Sequence, residues 1–163
     1  GALCVALSFM LSYIKLFSLP MGGSLTLCSM LPIAAYACAF GPLYGFTAGL
    51  AFGVLQLIQD FYVIHWAQLL LDYFFAFACY GIAAYFPNKL TLGIAVAGLC
   101  RMLCSTLSGG IFFADSAVDA GWSNAWLYSL AYNGSTIGAE TVLCVLVSLL
   151  PPVKKVLGLM KSE

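Results

Sequence analysis

The chain has 163 residues, of which 63% are hydrophobic and only 7% are charged, and its formal net charge is zero. A soluble domain normally carries about 25% charged residues, so these few charges cannot cover a water-exposed surface. Lipid is therefore expected to surround most of the chain, and the absence of a basic patch argues against a nucleic-acid partner.

Six apolar stretches follow one another along the chain. A membrane-spanning helix needs about 20 residues, with about 17 as a lower limit. The predicted helices cover residues 1–18, 27–41, 42–58, 66–86, 90–113 and 126–150. Loop-forming or polar residues separate them, and no period-2 alternation persists, so strands are not expected. The predicted class is all-α, a polytopic membrane protein with one six-transmembrane-helix domain over 1–163. Because the sequence begins inside an apolar run without Met, we expect residues preceding Gly1 to be missing from it.

The charged residues between the predicted helices differ between the two sides of the bundle. One side carries the basic residues Lys89, Lys154, Lys155 and Lys161. The other side carries Asp60, Asp115 and Asp119, and no Lys or Arg is expected in those loops. Basic residues collect on the cytoplasmic side, and an even helix number puts both termini on one side. Both termini are therefore predicted to be cytoplasmic.

Small residues recur at four-residue spacing on three predicted helices. The sets are Gly45, Gly49 and Gly53; Gly134 and Gly138; and, more weakly, Ala2 and Ala6. Such ridges let helix backbones approach closely in a membrane. Packing within the bundle is expected for the glycine ridge of the third helix, whereas the first helix could show its small face to another subunit.

The seven cysteines all lie in apolar runs and are expected to be buried small hydrophobic residues. Cys100 and Cys104 are one helical turn apart and could in principle hold a metal, but no histidine lies nearby. No metal, cofactor or disulfide framework is therefore predicted.

Charged side chains at helix centres are the most informative feature, because each costs about 2.5–3.5 kcal/mol even on the mildest scale. The chain has three of them, Asp72, Arg101 and Glu140, and helical spacing places each one on a polar stripe of its own helix. The stripes are His65, Gln68 and Asp72; Arg101, Ser105 and Ser108; and Ser129, Asn133, Thr136 and Glu140. Only the bundle interior can satisfy all three stripes, so they are expected to face one another.

Aromatic residues accompany Asp72 on the acidic side of the predicted bundle. They are Tyr62, Tyr73, Trp126, Tyr128 and Tyr132. A carboxylate beside several rings suits a flat cationic ligand with amine donors, because ring faces attract a cation that cannot hydrogen-bond. One alternative is that these rings, together with Trp66 and Trp122, form an aromatic belt at the membrane interface. The other is that Arg101 forms a structural ion pair with Glu140 or Asp72.

Four stretches together resemble a known family, the thiamine-specific S-components of energy-coupling factor (ECF) transporters, over nearly the whole chain. They are Leu19-Pro20-Met21-Gly22-Gly23-Ser24; Gln68-Leu69-Leu70-Leu71-Asp72-Tyr73 with Ala76-Phe77; Ser108-Gly109-Gly110-Ile111-Phe112-Phe113; and Trp126-Leu127-Tyr128-Ser129-Leu130-Ala131-Tyr132-Asn133. The resemblance implies a six-helix, non-enzymatic protein of the bacterial cell membrane that binds thiamine from outside under a roof formed by the loop after the first helix. A transmembrane coupling subunit and two ATPase subunits would drive import.

The resemblance also implies roles for individual residues. Asp72 would bond the aminopyrimidine with Tyr73 beside it, Phe113 would stack on a ligand ring, and Tyr128 and Asn133 would add hydrogen bonds. The full predicted substrate-binding set is Asp72, Tyr73, Tyr62, Phe113, Trp126, Tyr128, Asn133, Ser105, Gln68 and His65. Ala2 and Ala6 match the small-residue motif with which the first helix meets the coupling subunit.

The chain departs from the family pattern at two positions. Ser105 stands where family members often have His, which should weaken or rewire one ligand contact, and Glu140 stands where a neutral residue is expected. His65, the sole histidine, could equally cap a helix or contact the ligand.

Other functions remain open from the sequence. They are capture of another flat heterocyclic vitamin such as riboflavin, a stand-alone channel or small-solute transporter, and an intramembrane serine hydrolase. The hydrolase is disfavoured because no G-x-S-x-G elbow is present.

Overall fold

The computed structural model describes residues 1–19 and 23–162 and is mostly helical. The first part of the chain forms α1 (Ala2–Ser12), strands β1 (Lys15–Ser18) and β2 (Ser24–Thr26), α2 (Leu31–Phe40) and α3 (Pro42–Gln59). The rest forms α4 (Trp66–Tyr85), α5 (Leu90–Phe112), α6 (Ala114–Asp119), α7 (Ala125–Ser148) and α8 (Pro151–Lys161). Within the described residues, α4, α5 and α7 are long and apolar enough to cross a membrane.

The first predicted helix was wrong beyond Ser12, and so was the expectation that strands are absent. Helix α1 ends at Ser12, and β1 and β2 then pair antiparallel, with Phe17 opposite Leu25 and Ser18 opposite Ser24. Strand β2 packs against α7, so contacts with a distant helix select the extended backbone here. The predicted loop between the first two helices, with its break at Pro20-Met21-Gly22-Gly23, includes residues 20–22, which lie outside the described residues.

Helices α4 and α7 are not regular α-helices along their length. Residues Leu70–Phe75 of α4 and Gly134–Gly138 of α7 form π-helical turns, and Cys79–Tyr85 of α4 winds as a tighter 3₁₀ helix. A π-turn inserts an extra residue into a helix and is frequent at functional sites. Here Asp72 lies within one π-turn, and Asn133 and Glu140 flank the other.

The glycine ridge of α3 packs against α4, as predicted. A Cβ atom added at Gly49 would meet the backbone carbonyl of Phe77, and one added at Gly53 would meet that of Tyr73. The same spacing on α7 does not bring a neighbouring backbone close: nothing lies within 4 Å of a Cβ built at Gly134, and one built at Gly138 would meet the Met102 sulfur at 3.5 Å and, in its own helix, the Asn133 carbonyl at 4.0 Å. The π-turn that contains both glycines places them away from neighbouring backbones.

The densely packed core occupies one end of the bundle. Its fully buried large residues are Met30, Ile33, Phe52, Tyr80 and Ile94. They come from α2, α3, the second half of α4 and the first half of α5. The opposite ends of α4, α5 and α7 are therefore free to enclose a cavity.

Charge is distributed largely as the sequence indicated, with one correction. Lys15 lies on the side predicted to lack basic residues, where its Nζ pairs with Asp60 Oδ2 at 2.8 Å. Lys161 donates to the carbonyl of Pro87, so α8 adjoins the turn that carries Lys89. Lys89 and the lysines of α8 therefore lie together at the other end of the bundle from Lys15.

Candidate functional site

A cavity of about 160 Å³ lies among β2, α3, α4, α5 and α7. Eight of the ten predicted binding residues line it: Tyr62, Gln68, Asp72, Tyr73, Ser105, Phe113, Tyr128 and Asn133. The three predicted polar stripes therefore converge on one chamber, because each helix turns its polar face away from lipid and toward the others.

Asp72 is held in place by two neighbours on different helices. Its Oδ2 accepts hydrogen bonds from Gln68 Nε2 at 2.9 Å and from the Ser108 hydroxyl at 2.8 Å. Gln68 is buried and also donates to the Tyr62 carbonyl at 3.3 Å, which ties the segment before α4 to the site. A carboxylate offers about four acceptor positions, so these two bonds leave capacity for a ligand amine.

Aromatic rings form the walls around this carboxylate. The Tyr62 and Phe113 rings stack with centroids 5.9 Å apart and planes 20° from parallel, and the Tyr128 and Tyr132 rings lie 6.1 Å apart. The Tyr73 hydroxyl donates to the Asp60 carbonyl at 2.6 Å, which fixes that ring at the edge of the chamber. The faces of aromatic rings attract cations, including a quaternary nitrogen that has no N–H to donate in a hydrogen bond.

The polar stripe of α7 lines the opposite wall, with Ser129, Asn133, Thr136 and Glu140 all facing the cavity. Asn133 Nδ2 donates to the Ser129 carbonyl at 2.9 Å, and the Ser129 hydroxyl donates to the Thr106 carbonyl of α5 at the same distance. These bonds lock α7 to α5 and hold the Asn133 amide at the cavity surface.

Of the two ion pairs left open for Arg101, the structure shows the one with Glu140. Arg101 Nη1 lies 3.5 Å from Glu140 Oε2 and also donates to the Tyr80 hydroxyl. The guanidinium lies over the Phe77 ring, 4.4 Å from its centroid. Among the described residues no ion pair joins Arg101 to Asp72, whose carboxylate is held by the hydrogen bonds from Gln68 and Ser108.

His65 and Trp126 lie outside the cavity lining. His65 precedes α4, where its Nδ1 accepts from the Ala67 N–H at 3.1 Å, so it acts as the helix cap. Trp126 packs on α5, where a Cβ added at Gly110 would collide with the indole ring. His65 was predicted from its helical spacing to Gln68 and Asp72, and Trp126 as one of the aromatic residues around Asp72; local capping and helix packing account for their positions instead.

The segment after the first helix also contributes to the cavity, as the family resemblance implied, but none of its lining residues was in the predicted binding set. Gly23, Ser24, Thr26 and Ser29 line one wall, together with Gln56 of α3. The signal available in the sequence was the run of hydroxyl-bearing residues at the start of an otherwise apolar stretch. Which of these hydroxyls point inward depends on the strand conformation, which was not expected.

The predicted docking face of α1 is open. Ala2 and Ala6 are exposed, as are Leu3, Leu7 and Met10 of the same helix. In a lipid-embedded protein, small residues at this spacing leave room for another helix to approach.

An apolar helical bundle whose one end encloses a carboxylate between aromatic walls defines a class of protein, the integral membrane solute-binding proteins. Residues 1–159 match the family model described as thiamine transporter protein. The chain is 31% identical over 147 residues to the thiamine transporter ThiT of Bacillus subtilis (strain 168), a match that covers 80% of this chain and 75% of that protein. The chain belongs to this thiamine transporter family, whose members are membrane transporters and not enzymes.

The fold agrees with that of a solved family structure. ThiT from Listeria monocytogenes superposes with a TM-score of 0.79 at 21% identity, covering 99% of this chain and 91% of that one. This likeness establishes the helical fold described above.

Proposed function

We propose that this protein binds thiamine in the cavity around Asp72 and acts as the substrate-binding S-component of an ECF-type vitamin uptake system. One observation carries the proposal. A single chamber combines the Asp72 carboxylate with the stacked Tyr62–Phe113 pair in a chain that belongs to the thiamine transporter family.

The chemistry of thiamine matches that of the chamber at both ends of the molecule. Its aminopyrimidine offers an amine that donates to a carboxylate, and Asp72 retains acceptor capacity. Its thiazolium ring carries a positive charge without an N–H donor, so it favours aromatic faces such as those of Tyr62, Phe113 and Tyr128. Asn133 supplies both a donor and an acceptor for directional bonds.

The proposed membrane arrangement has six spanning helices, α1 to α5 and α7, with both termini on the cytoplasmic side. The lysines at the α8 end support this orientation. Helices α1 and α2 have only 11 and 10 residues, below the usual length of about 17–25. The hairpin between them extends the crossing, and non-helical backbone is tolerated at membrane depth where it lines a cavity, as β2 does.

The proposed partners are a transmembrane coupling subunit and two ATPase subunits. We propose that Ala2 and Ala6 on the exposed face of α1 form the contact with the coupling subunit. ATP hydrolysis would take place in the ATPase subunits, and this chain would supply capture and selectivity.

The proposal is tested by titrating the purified protein with a panel of vitamins while recording heat and tryptophan fluorescence. Thiamine is expected to bind with the highest affinity and to change the emission, because Trp122 contacts Tyr128 of the cavity wall with ring centroids 6.0 Å apart. Riboflavin and other neutral heterocycles serve as controls. No heat and no fluorescence change with thiamine, or tighter binding of riboflavin, would refute the proposal.

A further inference from the structure

Glu140 is almost fully buried in α7, at a position where the family resemblance predicts a neutral residue. Its Oε1 accepts hydrogen bonds from the Thr26 hydroxyl at 2.5 Å, the Ser29 N–H at 2.9 Å and the Ser29 hydroxyl at 2.7 Å. Its Oε2 faces Arg101. One oxygen thus binds the end of β2 and the turn that follows it, and the other faces Arg101 of α5.

The segment bound by Glu140 turns sharply around the carboxylate. Thr26 is the last residue of β2, and Ser29 lies just before α2. Between them Cys28 has a φ of 55°, a left-handed conformation that a residue with a side chain rarely adopts. A backbone held in this conformation needs surrounding contacts to maintain it, and the bonds to Glu140 supply them.

The other end of the same strand is also fixed to α7. The Gly23 N–H donates to the Tyr132 hydroxyl at 2.8 Å. Eight residues of helix separate Tyr132 from Glu140, a rise of about 12 Å. The three residue steps from Gly23 to Thr26 span about 10 Å in a strand. Strand β2 therefore runs along α7 with an attachment at each end, and Gly23, Ser24 and Thr26 form a cavity wall.

We propose that Glu140 is a positioning residue that anchors the inner end of β2 and thereby holds this cavity wall closed over the ligand. Its part in thiamine retention rests on the proposed function, whereas its part in fixing β2 does not. Neutralising Glu140 frees Thr26 and Ser29 from their charged acceptor, so β2 detaches more often from α7. A ligand behind that wall then leaves faster, while its rate of capture changes little.

The first measurement is hydrogen exchange on the ligand-free protein. In Glu140→Gln the amides over residues 23–30 are expected to exchange about tenfold faster, because bonds to a charged acceptor become bonds to a neutral one. The T26V/S29A variant removes the hydroxyl donors and is expected to show the same localised effect. Ser148→Ala, which removes a buried hydroxyl of α7 that bonds Thr91 and Val145 far from the hairpin, is the matched control.

The second measurement is the rate of thiamine release and capture for the same variants. Glu140→Gln and T26V/S29A are each expected to raise the release rate constant about tenfold with little change in capture. Combining all three substitutions should add little, because both changes break the same attachment. If the increases in release rate caused by Glu140→Gln and by T26V/S29A multiply in the combined variant, Glu140 acts on the ligand or through Arg101. That result would overturn the proposal.

The outcomes separate this inference from the proposed function. Unchanged exchange over residues 23–30, or faster exchange spread equally over α2 and α5, would overturn the anchoring role whatever the ligand is. Faster exchange confined to residues 23–30 in the variants, together with no thiamine binding by the unmodified protein, would support the anchoring role of Glu140 and refute the thiamine assignment. If Glu140→Gln does not fold, T26V/S29A decides through the same two measurements.

Discussion

Replacing Asp72 by Asn tests whether the buried acid of α4 recognises the ligand or merely stabilises the bundle. The amide oxygen of Asn can still accept from Gln68 Nε2 and the Ser108 hydroxyl, so the local structure should persist. What disappears is the negative charge that would accept the aminopyrimidine amine. The substitution therefore separates binding from folding.

The magnitude follows from the kind of bond that is lost. Hydrogen bonds to charged groups contribute about 1.5–3 kcal/mol, compared with about 1 kcal/mol for neutral pairs. In Asp72→Asn the amide oxygen stays with Gln68 and Ser108, so the whole bond to the ligand amine is lost and thiamine binding should weaken about 10- to 150-fold. Arg101→Lys should weaken binding much less, because Arg101 contacts Glu140, Tyr80 and Phe77 and does not contact Asp72 directly.

The assay is isothermal titration of each variant in the same detergent, with thermal unfolding recorded beside it. Asp115→Asn, at an exposed acid of α6, is the matched control and should bind like the unmodified protein. Equal losses of affinity in Asp72→Asn and Arg101→Lys, with equal losses of stability, would show that Asp72 belongs to the packing of the bundle. That result would refute a ligand-binding role for the Asp72 carboxylate.

Three further results are expected. Phe113→Ala should weaken thiamine binding about tenfold by removing the ring stacked on Tyr62, whereas Phe113→Tyr should retain most of it; equal affinities in titration would contradict a stacking role. Gly49→Ala should lower the melting temperature in detergent because its Cβ would meet the α4 backbone, whereas Gly134→Ala has open space and should not; equal shifts would contradict the observed packing. Ala6→Trp should leave thiamine binding unchanged but reduce uptake by the assembled transporter, and undiminished uptake would exclude α1 as the docking face.

The residues that face the cavity could largely be predicted, because helical periodicity is a local property. Gln68 and Asp72 are four residues apart on one helix, and Asn133 and Thr136 are three apart on another, so each pair had to share a face. A charged residue in an apolar helix must also turn toward the bundle interior. These two rules located the site without knowledge of how the helices pack.

Partners in the cavity could not be assigned from the sequence where they lie far apart along the chain. Glu140 bonds Thr26 and Ser29, more than 100 positions away, and nothing in the local pattern of either segment indicates the other. The choice between Asp72 and Glu140 as partner of Arg101 was likewise open until the helices were positioned.

The amino-acid sequence by itself determined that the chain is embedded in lipid and which faces of its helices are polar. It also indicated that Asp72 lies among aromatic rings. Composition and helical period are properties of single segments, so these features could be derived without the packing of the bundle. Only the tertiary structure decided that residues 15–18 and 24–26 form a hairpin, that His65 caps α4 and that the glycines of α7 lack close neighbours. Each of these depends on which segments meet in space, and short stretches with weak local preference take the conformation that their distant contacts stabilise.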